Sequence, residues 1–184
     1  MSDTVSRRLI FSPLDAAARW FLARRVGAET VAVAAFVPGL AAIAAIAYGH
    51  NWLGLALLAL YRVFVFIAHT MARATTPPRS SGALEAALET IVVTGVPLGF
   101  ALADPSHAIA ATFLACALAG ASAARIASAV RSGLDLVESA VLFAAFALAC
   151  LLPERFSLVA YVLGVLAFIA MGVRVASAMA VPRP

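Results

Sequence analysis

The sequence predicts an all-α integral membrane protein with six transmembrane helices preceded by an amphipathic interfacial helix. Composition is the first reason: the chain is 64% hydrophobic and 12% charged, with a mean hydropathy of +1.02, far from the roughly half-apolar make-up of soluble domains. The second is the presence of six apolar stretches, at 29–49, 52–73, 82–104, 107–128, 132–152 and 156–178. Each approaches the roughly 20 residues that carry a helix across the hydrocarbon core. The third is the shortness of the breaks between them, which leave no room for a soluble catalytic domain. Any chemistry must therefore come from side chains on the helices themselves.

Ser12-Pro-Leu-Asp15 reads as a helix start, with Ser12 as cap, Pro13 at the first helical position and Asp15 answering the cap. The helix is expected to run to about Val26. Leu14, Ala17, Ala18, Phe21 and Leu22 share one face, which suits an interfacial position. Arg25 projects onto that apolar side, so either the helix ends before it or the arginine snorkels to the headgroups. Residues 1–28 thus form a cytoplasmic amino terminus with an interfacial helix, and 29–184 form one membrane domain.

Gly49-His50-Asn51 is a tight turn that makes the first two spans antiparallel neighbours. Thr75-Thr-Pro-Pro-Arg-Ser-Ser81 is a loop, because paired prolines lack amide donors and resist helix continuation. Asp104-Pro-Ser106 and Pro153-Glu-Arg155 mark two turns on one side, and residues 125–133 mark a turn on the other. In the fourth span, small residues around Gly120 recur at four-residue spacing, which lets backbones approach closely. Internal packing and a dimer contact are both open readings of that stripe. Cys116 and Cys150 lie inside predicted helices, where cysteine commonly serves as a small buried apolar residue.

All thirteen basic residues are arginines. With the amino terminus inside, Arg7, Arg8, Arg19, Arg24, Arg25, Arg73, Arg79, Arg125, Arg131, Arg174 and Arg183 fall on or near the cytoplasmic face, as the positive-inside bias requires. Arg155 falls outside. The net charge of +4 then describes a basic inner surface that attracts anionic lipid headgroups, and it does not call for nucleic acid. The first apolar segment begins near Glu29 with the length of a true span, so no secretory signal is expected. Abundant alanine and absent lysine suggest a GC-rich bacterial genome and hence an inner membrane.

Ionisable groups within spans are costly and face a partner or a polar cavity. Arg62 on the second span, Asp135 and Glu138 on the fifth, and the neighbouring Arg125 and Arg131 belong to this class. They read as an ion-pair network or as the lining of a polar site.

Between Tyr61 and Pro105 lies a motif frame. Arg62-Val-Phe-Val-Phe-Ile-Ala-His-Thr-Met-Ala-Arg73, then eight residues and Gly82, resembles the CDP-alcohol phosphatidyltransferase family pattern D-x2-D-G-x2-A-R-x8-G-x3-D-x3-D. Ala72, Arg73 and Gly82 match. The four aspartates fall on Val65, Ala68, Ala86 and Thr90, and the first motif glycine falls on His69. The stretches Val96–Pro105 and Leu152–Tyr161, with Arg174, extend the resemblance over nearly the whole chain.

The resemblance implies a six-helix fold with an interfacial helix, a homodimer, and transfer of a phosphatidyl-type group from a CDP-linked donor to an alcohol with release of CMP. Two divalent cations, Mg2+ or Mn2+, would sit between the second and third spans, where paired metals neutralise both ends of the displacement. Hard cations need several oxygen ligands. Here Glu85 and Glu89 keep the spacing of the last two aspartates, offset by one position. They are the candidate metal ligands, with Glu89 as candidate catalytic base. Arg73, Gly82, Arg62 and Arg125 are the candidate substrate-binding residues, since a guanidinium can hold phosphate bidentately. The structural alternative is that carboxylates near a helix amino terminus answer the macrodipole and pair with arginines.

Three functions remain open at this stage. The first is a non-catalytic relative that binds lipid or nucleotide or assembles with an intact paralogue, with no cofactor. The second is an active transferase using Glu85 and Glu89. The third is a small transporter or scaffold, although no second half mirrors the first as transporter repeats do.

Overall fold

The computed structural model describes residues 16–74, 81–128 and 134–180. Within them the chain is wholly helical: α1 (16–23), α2 (Ala28–Ala47), α3 (Asn51–Ala74), α4 (Ser81–Ala103), α5 (Ala108–Ser128), α6 (Leu134–Leu151) and α7 (Phe156–Ala180), with short 3-10 turns at Pro105–His107 and Pro153–Arg155. Five of the helices are long and apolar enough to cross a membrane, and α6 contributes a shorter apolar stretch, Ser139–Leu151. The Ser12–Asp15 cap and the Thr75–Ser80 loop lie outside the described residues, as do the side chains of Arg73, Glu85, Asp135 and Glu138 and the surroundings of Gly82.

The breaks form where their residues force them. α2 ends in a Schellman turn: Gly49 takes φ +78°, its amide donates to the Ile46 carbonyl, and the His50 amide donates to that of Ala45. Asp104 caps the next break by accepting a 2.8 Å bond from the Ser106 amide, with Pro105 at the first helical position.

The helices pack as a row, α3 on α2, α2 on α4, α4 on α5 and α5 on α7, while α6 closes it by touching α3 and α7 more sparsely. The main core runs through this row from Ala42 and Ile46 to Phe156 and Leu163, with Phe100 and Phe156 stacked at 4.4 Å between ring centroids. Many aliphatic side chains face outward, such as Leu102, Ile109 and Leu158. In a bilayer that exposure costs nothing, and close backbone approach must hold the helices instead. Glycines provide it. A Cβ on Gly99 would stand 3.0 Å from the Ile43 carbonyl oxygen, and one on Gly164 would stand 2.5 Å from the Phe113 ring.

Two expectations are corrected. α1 does not reach Val26 but stops at residue 23, because Arg25 turns the chain with φ +59°. Cys150 is buried, whereas Cys116 is exposed; where the surroundings are hydrocarbon, an apolar thiol gains little by burial. Gly120 sits against Met171, so the small stripe of α5 serves the α5–α7 contact.

Candidate functional site

The motif frame lies along the end of α3 that precedes residue 75 and the facing start of α4. Ionic or metal chemistry there would need polar atoms, and at the first two aspartate positions α3 supplies hydrocarbon, although His69 and Thr70 lie on the same stretch. Val65 is buried with Ala35, Tyr61 and Val92. Ala68 is buried with Ala18, Val31, Ile67 and Met71, beneath the apolar side of α1. On α4, the Thr90 hydroxyl donates to the carbonyl of Ala86, at 2.7 Å, so these two frame positions bond to each other within one helix.

Glu89 points elsewhere. It lies on the α4 stripe with Val92, Val93 and Val96, facing Leu58, Tyr61 and Arg62 of α3 and Ser139, Leu142, Phe143 and Phe146 of α6. The Glu89 carboxylate stands 3.6 Å from the Arg62 guanidinium, with the two side chains 16% and 25% exposed. The other arm of Arg62 donates to the Ser139 hydroxyl. One guanidinium thus joins α3, α4 and α6.

The space these groups enclose is about 20 Å³, enough for one water, which needs about 10–15 Å³. Two cations set about 3.5–4 Å apart against a diphosphate need far more. Among the described residues no three His, Cys, Asp or Glu side chains gather, and Glu89 faces a cation, Arg62; the carboxylates of Glu85, Asp135 and Glu138 lie outside the described side chains. A larger cavity of about 540 Å³ opens at the opposite end, lined by Gly49, His50, Asn51, Trp52, Leu53, Cys150, Leu151 and Pro153. It offers no arginine to an anion.

Of the sequence candidates, the structure brings together Arg62 and Glu89. Arg125, on α5, donates to Ser122 at 3.3 Å and does not line the small cavity. The roles expected of Arg73, Gly82, Glu85, Asp135 and Glu138 rest on surroundings outside the described set. Sequence reasoning missed Ser139, whose only signal is a polar residue next to Glu138 in an apolar span. It also missed the link between two turns, where His107 Nδ1 lies 2.9 Å from the Ser157 hydroxyl and Nε2 lies 3.9 Å from Asp104.

Fold and site together define an all-helical protein with membrane-spanning capacity and a polar clasp among its described helices. Comparison with protein-family models, curated proteins and solved structures finds no match to this chain.

Proposed function

We propose that the chain is a non-catalytic membrane protein of the CDP-alcohol phosphatidyltransferase type. It has six spans, α2 to α7, with α1 at the cytoplasmic interface of a bacterial inner membrane. Its role is to bind lipid or a CDP-linked lipid, or to assemble as a homodimer or with an intact paralogue linked to phospholipid synthesis.

The observation that carries this reading is the closed Arg62–Glu89–Ser139 clasp beside apolar Val65 and Ala68. A carboxylate 3.6 Å from a guanidinium has its charge answered within the protein, and its work is to hold helices in register. A transferase site needs the opposite: several carboxylates whose mutual repulsion only a divalent cation relieves.

Purified protein incubated with CDP-diacylglycerol, an acceptor alcohol and Mg2+ or Mn2+ tests the proposal. The expected result is no metal-dependent release of CMP. Release that disappears in Glu89→Ala would instead establish the active transferase, with Glu89 as ligand or base.

A further inference from the structure

We propose that the exposed face of α1 is a docking surface for anionic phospholipid headgroups, built around Arg19, Trp20, Arg24 and Arg25. It is separate from the α3–α4–α6 clasp and does not depend on the reading of that site.

The opposite face of α1 is committed. Ala17, Ala18, Phe21 and Leu22 pack on Val31 of α2 and on Ile67, Ala68 and Met71 of α3. This fixes α1 across the ends of two apolar helices, at the rim of the hydrocarbon layer. What remains outward is cationic and aromatic: Arg19, Arg24 and Arg25 are exposed, and Trp20 is 52% exposed. The Arg24 guanidinium lies 4.4 Å over the Trp20 ring, a pairing of the residue that prefers the headgroup level with one that binds phosphate. Among the described residues, none of the three arginines is in an ion pair.

The backbone supplies an independent reason. α1 ends in a Schellman turn, the Arg25 amide donating to Leu22 and the Val26 amide to Phe21. Arg25 fills the left-handed position at φ +59°, where helix ends prefer glycine. At the equivalent turn ending α2 this chain does use glycine, Gly49, at φ +78°. An arginine kept in that conformation is a local strain whose return is a third guanidinium on the outward face, and strain of this kind points to function. The ligand matching such a surface at that depth is the phosphate of an anionic lipid, each arginine enriching it roughly fivefold near the surface.

The two tryptophans make the test internal. Trp52→Phe leaves Trp20 as sole reporter, and Trp20→Phe leaves Trp52 at the far end as control. The full chain is reconstituted in mixed phosphatidylglycerol and phosphatidylcholine vesicles with bromines on the acyl chains of one lipid or the other. Brominated phosphatidylglycerol is expected to quench Trp20 more than brominated phosphatidylcholine at equal mole fraction, and to quench Trp52 no more. The preference is expected to vanish in Arg19→Gln/Arg24→Gln/Arg25→Gln and to weaken in Arg25→Gly. The latter substitution suits the backbone and should raise the unfolding midpoint, so its loss of lipid preference cannot come from misfolding. Equal quenching of Trp20 by the two lipids overturns the proposal, as does a preference undiminished in both variants.

Discussion

Replacing Glu89 with alanine leaves the Arg62 guanidinium inside the helix bundle without its counter-charge. Arg62 stands eleven residues from the start of α3 and twelve from its end, about 16–18 Å along the axis, so it lies near the middle of the helix. At 3.6 Å and an effective dielectric near 20, the pair attracts by about 5 kcal/mol. Solvation lost on burial offsets part of this, and both groups keep some exposure. The expected net loss is therefore about 3 kcal/mol, at the lower end for breaking a buried pair. Arg62→Met/Glu89→Leu removes both charges and should recover to within about 1 kcal/mol of the parent, as apolar replacement of a whole pair commonly does. Reversible unfolding in mixed micelles, followed by circular dichroism, reads both values. If Glu89 were instead kept for a cation, its removal would relieve repulsion, and an unfolding midpoint unchanged or raised in Glu89→Ala would refute the reasoning.

The other predictions concern different parts of the fold. Gly164→Ala places a Cβ 2.5 Å from Phe113, a ring already held against Tyr161 and Phe168; overpacking should cost about 1–3 kcal/mol, and adding Phe113→Leu should restore most of it in the same unfolding assay. Arg25→Gly relieves a left-handed arginine and should stabilise by about 1 kcal/mol; a lowered midpoint would contradict the turn described. The Ser106 backbone bond, with help from its side chain and from His107, holds the Asp104 carboxyl below its ordinary pKa of 3.8. A depressed acid contributes stability that is present above the unfolded pKa and lost as pH falls through the folded value. The midpoint difference between the parent and Asp104→Ala should thus be full at neutral pH and shrink below pH 3.8.

Much of the architecture was legible in the sequence because the signals that interrupt apolar helices are local. Gly49, the Asp104-Pro105 pair and Pro153 each stop or restart a helix through their own backbone chemistry, so the observed ends fall close to the expected ones. The apolar side of α1 was legible from periodicity, but its end only as one of two alternatives at Arg25. An arginine in a left-handed turn runs against the preference for glycine, and only the tertiary anchoring of Phe21 and Val26 makes it hold. The site was readable to the level of residue type. Arg62 and Glu89 stand out as intramembrane charges, yet nothing in the spacing of two separate helices says that they meet, or that Ser139 of a third joins them. Helical periodicity specifies which residues share a face; which faces meet is decided by packing through Gly95, Gly99 and their neighbours.

The most direct test of the proposed non-catalytic reading is Mn2+ titration of the reconstituted protein in the presence of CDP-diacylglycerol, followed by electron paramagnetic resonance. With the carboxylate clasped by a guanidinium and hydrocarbon at the facing positions, the spectrum should remain that of free and surface-bound Mn2+, unaffected by Glu89→Ala. A spin-coupled pair of Mn2+ ions that forms with the nucleotide lipid and is lost in Glu89→Ala would contradict it.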